Sequence, residues 1–261
     1  MKGYEGNKTL LPLIPNSSPF QGDLPILCHV LKVLPPGPKA IVVHHRKEDV
    51  IAATQAFRIT YCKQEMANGT GGALLAARFF LEGVVQDKVL ITMGDVPLVK
   101  RETYMKLLEG LDEADGVVLG FKPKNKAQYG AVELCKDRPV KIVEWKYWKE
   151  YSREKKESLT IFNAGIYGFR RDVLLTFMDK LKCHPHEVLK ERDGKIVTIE
   201  EFFVTDLVEL IYRAGLKTGY VLAEDEAEVM GVDTPESLKK AQETYHLRWF
   251  KPGPCFLEAK K

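Results

Sequence analysis

Short apolar runs alternate along this chain with segments of helical period, and few folds accept that alternation. Ala40–His44 (AIVVH), Lys88–Met93 (KVLITM) and Gly116–Phe121 (GVVLGF) are apolar runs of strand length. Between them, Glu48–Phe57, Thr70–Glu82 and Glu102–Leu111 space their apolar residues for a helix, with Ala73, Leu74, Ala77, Phe80 and Leu81 as one stripe. A strand that is apolar throughout needs cover on both faces, and helices between successive parallel strands supply it. The pattern predicts βαβ units, an α/β fold and a mostly parallel sheet. Asp23 ahead of Leu24, Ile26, Leu27, Val30, Leu31 and Leu34 reads as an N-cap on an amphipathic helix, and Arg58–Lys63 as a further strand.

The texture changes after Lys122. Tyr129–Leu134 and Lys141–Trp145 read as antiparallel strands joined by the turn Lys136-Asp137-Arg138-Pro139, and Phe162–Phe169 as a strand carrying two glycines. Helices are expected over 171–182 and 200–214, and strands over Thr218–Ala223 and Glu228–Val232. Thr234-Pro235 then opens a last helix, because proline at the first helical position gives up an N–H that has no partner there. The charged stretch Lys146–Lys156 reads as an exposed loop or insertion. With no repeat and no low-complexity linker, residues 1–245 form one domain and residues 246–261 a tail. Trp249, Phe250 and Phe256 of that tail suit cover for a sheet edge or a dimer contact, so a homo-oligomer is compatible with it.

Composition excludes several classes. Apolar residues are 45% and charged residues 29%, which rules out disordered and coiled-coil chains. No apolar run approaches ~18 residues, so no membrane helix is expected. The opening MKGYEGNKTLLPLIPNSS has no apolar segment ahead of a cleavage site, so no secretory signal is expected. With 39 basic against 36 acidic residues, the charge balance calls for no nucleic acid. Five scattered cysteines without a CxxC pair argue against zinc and disulfide frameworks and for reduced thiols, hence a cytoplasmic protein. The pairs His44/His45 and His184/His186 lack a matching ligand cluster and read as structural or solvated.

Three segments carry chemistry. In Gln64–Ala73 (QEMANGTGGA) a strand gives way to a glycine loop and a helix start, where free N–H groups can meet a phosphate or a base edge. The Gln64 amide, donor and acceptor at once, matches the imide edge of uracil. A glycine turn with Thr70 as N-cap accounts for the same residues. Gly94-Asp95-Val96-Pro97 follows the strand KVLITM, and ligands of open α/β sheets bind beyond the carboxyl ends of strands. Asp95 there suits Mg²⁺, and Asp233 in Gly231–Pro235 is a second strand-end carboxylate that can converge on the same ion. A capping or turn role fits each aspartate alone.

Taken in order, Q-x(4)-GTG, LITMGDVPL, QYG, IVEWK, FNAGI, EEFFVTD and EVMGVDTPE resemble the sugar-phosphate nucleotidylyltransferase family, with its Rossmann-like nucleotide-diphospho-sugar transferase fold. Within that family the pattern is nearest to N-acetylglucosamine-1-phosphate uridyltransferase domains, over about Lys8 to Leu238. The resemblance implies a mixed, mostly parallel sheet with a small antiparallel part on the sugar side. It implies that Gln64 reads uracil beside Gly69 and Thr70, and that Asp95 and Asp233 hold Mg²⁺. Lys8 would lie against the triphosphate. Gly130, Glu144, Asn163 and Thr205 would line the sugar 1-phosphate. The implied reaction joins UTP or another nucleoside triphosphate to a sugar 1-phosphate and releases pyrophosphate. For Glu144 a cross-strand ion pair, for Asn163 a turn amide, and for Trp145, Tyr147 and Trp148 a packed face are the structural alternatives.

The pattern departs from the family in two places. The family opens with a strand and a glycine-rich loop ending in G-T-R-M, and Met1 corresponds to that methionine. A first strand and loop ahead of Met1, roughly 10–20 residues, would complete the pattern. Without them, strand edges would stand unpaired inside the sheet. A chain that truly lacks the loop would be a binding protein of the same fold that does not turn over. Ala164 replaces a threonine of the uridyltransferases, which removes a hydroxyl from the sugar side. No hexapeptide repeat occurs, so acetyl transfer is not expected.

Overall fold

The computed structural model describes residues 4–126, 128–192 and 194–249. After a 3₁₀ turn, Lys8–Leu10, the strands β1 (Pro12–Ser18) and β2 (Gln21–Pro25) form an antiparallel hairpin, and α1 (Ile26–Val33) follows at once. Asp23 is therefore not an N-cap: it lies in β2 opposite Ile14, and Pro25, in an extended conformation, holds the strand to the edge of the helix. Strand β3 (Lys39–Val43), α2 (Lys47–Thr54) and β4 (Ile59–Lys63) make a parallel βαβ unit. The helix expected over 70–82 is two, α3 (Gly69–Ala76) and α4 (Arg78–Gly83). At Ala77 the N–H turns to the Leu74 and Leu75 carbonyls, a tightened turn that breaks the α register.

Next come β5 (Lys88–Ile91), α5 (Arg101–Gly110) and β6 (Gly116–Phe121). The hairpin β7 (Ala131–Cys135) and β8 (Arg138–Val143) turns through Lys136 and Asp137, both left-handed at φ +48° and +61°, the geometry that matches strand twist in a two-residue turn. The charged insertion holds two short helices, α6 (Trp145–Trp148) and α7 (Arg153–Ser158). Strand β9 (Phe162–Arg170) leads into α8 (Arg171–Leu181).

A second hairpin, β10 (His186–Arg192) with β11 (Lys195–Glu201), has no counterpart in the sequence reading. It takes residues 200 and 201 of the helix expected over 200–214, residues 202–205 form a loop, and α9 runs Asp206–Arg213. After β12 (Thr218–Leu222), the strand expected over 228–232 is a 3₁₀ turn, Glu226–Val229. The fully buried Glu228 carboxylate accepts the N–H groups of Lys100 and Glu224 and the Thr103 hydroxyl, and these bonds fold the backbone around it. Helix α10 (Pro235–Trp249) closes the described chain and starts at the expected Thr234-Pro235.

Strand β9 organises the sheet. It runs antiparallel to β6 on one side, and on the other to β5 and, at Phe162, to β7; β12 adds to β6 in parallel. Alternation along these strands supplies two cores. Val118, Tyr167 and Phe169 face α8 and α9, while Val117, Leu119 and Ile166 face α5. The β3–β4 pair does not join this sheet. The only strand partner of β3 is β4 and that of β5 is β9, among the described residues. The expected unpaired edges are present. No helix among the described residues is long and apolar enough to cross a membrane. Cys28, Cys62, Cys135 and Cys183 are free.

The tail begins as helix. Trp249 stacks on Tyr245 and, like it, meets the ring of His29 on α1 edge-on, with centroids 5.1 and 4.9 Å away. Phe250 and Phe256 lie outside the described residues. His29 is buried, and its Nε2 has no hydrogen-bond partner. Burial, with Lys32 adding to it, pushes its pKa down from 6.5 to about 4. Between those values the unfolded chain binds a proton that the folded chain refuses, so stability falls as pH falls. Urea melts are expected to show a loss of about 2–3 kcal/mol from pH 7 to pH 4 through this group. In His29→Phe that part of the pH dependence should vanish.

Candidate active site

The carboxyl end of β5 and the loop before α10 meet at one cation. Lys8 places its ammonium 2.5 Å from Asp95 Oδ2 and 2.5 Å from Asp233 Oδ1. The backbone fixes this approach, since the Val232 N–H donates to the Asp95 carbonyl at 2.9 Å. Ser237 and Thr234 cap α10 reciprocally, with Ser237 Oγ accepting the Asp233 and Thr234 N–H groups. Burial alone would lower the Lys8 pKa, but the two carboxylates outweigh it and hold the ammonium above the usual lysine range. Two aspartate oxygens that converge on one positive centre are the donor set for a hard divalent cation completed by ligand oxygens. Among the described residues no third carboxylate, His or Cys joins them.

The glycine loop is stitched to a distant segment. Asn68 carbonyl accepts the Phe202 N–H at 2.9 Å, the Phe202 carbonyl accepts the Gly71 N–H at 2.7 Å, and Thr70 Oγ accepts the Val204 N–H at 3.2 Å. Gly69 is left-handed at φ +89°, and a Cβ there would stand 2.4 Å from the Phe202 carbonyl oxygen. Thr70 is thus not the N-cap: α3 begins at Gly69, and the Thr70 hydroxyl serves Val204. The Gln64 side chain braces the same loop, donating from Nε2 to Asn68 Oδ1 at 2.8 Å and to the Gly69 carbonyl at 3.2 Å.

A third group of residues gathers where β7, β8 and β9 meet α9. The Asn163 N–H donates to the Gly130 carbonyl at 2.8 Å, and its side chain spans Tyr167 OH at 2.8 Å and the Gly165 N–H at 3.1 Å. A Cβ on Gly130 would stand 3.6 Å from the Glu144 carboxylate and 3.8 Å from Asn163 Cβ. Thr205, buried at the start of α9, lies beside Glu144 and favours its charged form. The alternative roles partly apply: Asn163 does brace a turn, whereas the cross-strand ion pairs of Lys141 go to Glu133, not Glu144. Trp148 is a packed residue, its indole N–H on the Tyr129 carbonyl at 2.8 Å, while Tyr147 is exposed. Gly165 also lies against Met93, which links this group to the segment after β5 that carries Asp95.

Burial raises the Glu144 pKa, with Asp206 adding to the rise and Lys146, Thr205 and His186 opposing it. A carboxyl whose folded pKa is raised binds its proton more tightly folded than unfolded, so its contribution falls as pH rises through the window between the two values. Glu144→Gln keeps the shape of the side chain and removes that charge. It is expected to raise stability at pH 7, and the gain should shrink on acidification. Thermal melts at pH 4 and pH 7 read both. Sequence reasoning missed two neighbours. His186 Nε2 and Asp206 Oδ2 pair at 2.8 Å beside Thr205, although 20 positions apart in the chain. Only the hairpin, itself unread, brings them together.

Comparison with known proteins bears on the family and the fold. The family described as MobA-like NTP transferase domain matches residues 1–159. The bifunctional protein GlmU of Ruegeria sp. (strain TM1040) is 32% identical over 226 residues, 85% of this chain and 46% of that protein. GlmU of Koribacter versatilis is 30% identical over 259 residues, 90% of this chain and 51% of that one. The chain thus spans about half the length of these curated relatives. Among solved structures, a nucleoside-diphosphate-sugar pyrophosphorylase from Vibrio cholerae RC9 aligns with a TM-score of 0.66 at 13% identity, covering 92% of this chain and 93% of that one. A putative glucose-1-phosphate thymidylyltransferase from Bacillus anthracis aligns at 0.63 and 19% identity, over 95% and 89%. With 159 of its 261 residues matched and the fold shared with these structures, the chain belongs to the MobA-like NTP transferase domain family.

Proposed function

We propose that this chain joins a sugar 1-phosphate to a nucleoside triphosphate, UTP being the nucleotide, and releases pyrophosphate. The observation that carries the reading is the convergence of Lys8, Asp95 and Asp233 at 2.5 Å, on a segment whose Met93 lies against Gly165, two residues from Asn163. A phosphate oxygen of the sugar 1-phosphate attacks the α-phosphorus, and the bond from that phosphorus to the bridging oxygen of pyrophosphate breaks. No protein nucleophile is required, so positioning and charge neutralisation carry the catalysis.

Asp95 and Asp233 fit Mg²⁺, which when bound supplies charge neutralisation and a template for phosphate oxygens. Lys8, which bridges the two carboxylates, is placed to turn its charge to the triphosphate once they are engaged elsewhere. The loop at Gly69 and Thr70 offers backbone to the nucleoside, and Gln64 meets uracil by giving up one of its two loop bonds. Glu144, Asn163 and Thr205 hold sugar hydroxyls, and the Gly130 backbone lies against them.

The test is a nucleotide panel. With UTP and Mg²⁺ at about 100 times Kd, the folded state should gain about 2.7 kcal/mol, with smaller gains for CTP and GTP. Pyrophosphate release should appear on adding a sugar 1-phosphate. Binding without release would favour the non-catalytic reading, and a flat panel would remove both.

A further inference from the structure

Residues 202–206, between β11 and the first turn of α9, touch both halves of the candidate site. On the nucleoside side, Phe202 exchanges backbone hydrogen bonds with Asn68 and Gly71, and the Val204 N–H donates to Thr70 Oγ. On the acceptor side, Thr205 lies beside Glu144. The stretch is a tight turn: the N–H groups of Asp206, Leu207 and Val208 turn back to the carbonyls of Phe203, Val204 and Thr205 at 3.1, 3.1 and 3.3 Å. A displacement of this turn would shift Thr205 against Glu144 and loosen the glycine loop at the same time.

His186 grips the turn from outside. It opens β10 and is paired there with Glu201, just before the turn starts. Its Nε2 lies 2.8 Å from Asp206 Oδ2, and its ring centroid lies 5.0 Å from that of Phe203. A carboxylate only accepts, so Nε2 is the donor. The two contacts hold the residues on either side of Val204 and Thr205. Burial, the main cause, raises the Asp206 pKa, and His186 opposes that rise, so the imidazole favours a charged carboxylate in a half-buried place. The pair also reaches the acceptor residues electrostatically, since Asp206 disfavours the charge on Glu144 and His186 favours it. Neither flanking element needs the pair in order to form. Strands β10 and β11 pair along their whole length, and α9 is anchored by the buried Leu207, Val208 and Ile211.

We infer that His186 and Asp206 are a positioning pair, through which the β10–β11 hairpin locks residues 202–206 and sets Thr205 against Glu144 for the acceptor. The bearing on a sugar 1-phosphate rests on the reaction proposed above, whereas the lock on the turn does not. The hydrogen bond carries the lock. A side chain that donates from the place of Nε2 keeps it, and one that only fills the space releases it.

Two variants separate these cases. His186→Phe keeps a ring against Phe203 and removes the donor, while His186→Gln offers an amide Nε2 near the place of the imidazole Nε2. Hydrogen exchange reads the lock without any substrate. In His186→Phe the Phe202 and Val204 amides should exchange about tenfold faster, with the urea midpoint and the amides of β6 and β9 unchanged. His186→Gln should restore most of that protection. Kinetics read the consequence for the acceptor. KM for the sugar 1-phosphate should rise about tenfold in His186→Phe, with kcat down by less than about threefold, and both should recover in His186→Gln. Unchanged exchange at 202 and 204 overturns the inference, and so does faster exchange across the whole sheet, which would make the pair a stabiliser of the fold alone. Equal losses in the two variants overturn it too, because packing and not the hydrogen bond would then be at work. A loss carried by kcat with KM unchanged overturns the acceptor role. Absence of turnover in the unaltered chain would count against the proposed reaction, and exchange would still decide the lock.

Discussion

Asp95→Ala is expected to fold normally and to lose at least about a thousandfold in pyrophosphate release, the scale seen when a group that stabilises transition-state charge is removed. The two halves of this expectation have separate grounds. The Asp95 side chain is 22% exposed, and it pairs with the Lys8 ammonium, which is itself 36% exposed, so the pair adds under about 1 kcal/mol to stability. What Asp95 contributes to the fold it contributes through its carbonyl, which holds the Val232 N–H and is kept by alanine. The carboxylate, by contrast, is one of the two that would hold the divalent cation of the proposed reaction, and Asp233 alone would offer that ion half of the protein's donor set. The measurement is release of pyrophosphate from UTP and a sugar 1-phosphate, with melts to confirm the fold, on whichever chain length turns over. Full activity would remove Asp95 from the site, and a collapsed melt would make it structural.

Gly69→Ala should cost about 2–4 kcal/mol of stability. Its φ of +89° disfavours any L side chain, and its Cβ would press on the Phe202 carbonyl at 2.4 Å. That carbonyl cannot retreat freely, since it accepts the Gly71 N–H at 2.7 Å. Relief would pull the loop away from residues 202–204 and take Thr70 from the Val204 N–H with it. Nucleotide affinity should fall along with stability. Gly215→Ala separates the two causes, because Gly215 is left-handed at φ +77° with nothing within 4 Å of its Cβ. That variant is expected to lose only about 1 kcal/mol, the backbone cost alone. Urea midpoints read both, and equal losses would show that the Phe202 contact does not matter.

The readings that succeeded share a physical basis in local pattern. AIVVH, KVLITM and GVVLGF are strands because continuous apolar runs have few other homes, and Thr234-Pro235 opens a helix because capping is settled within one turn. The order of Gln64, Asp95, Glu144, Asn163 and Asp233 along the chain was legible as a pattern of motifs. The readings that failed turn on partners far away in sequence. Asp23 looked like a cap until β1 claimed its backbone, and Thr70 looked like one until its hydroxyl met Val204. The helix expected from 200 starts only at Asp206, because residues 200 and 201 pair with β10 and residues 202–204 are bonded to the glycine loop: propensity yields to tertiary contact. Glu228 looked like a strand residue because nothing near it in the chain announces the backbone amides it accepts from Lys100 and Glu224.

The sequence by itself determined the α/β class, the places of the main strands and helices, and which residue types stand at the strand ends. These follow from burial and capping, whose energetics are local. Only the tertiary structure decided which of those residues meet. Lys8 spans 225 positions to reach Asp233, the His186–Asp206 pair depends on a hairpin, and the open edges of β3 and β5 exist only because two sheets end side by side. Contacts of that kind depend on which distant surfaces bury one another, and a local pattern does not encode the choice of partner.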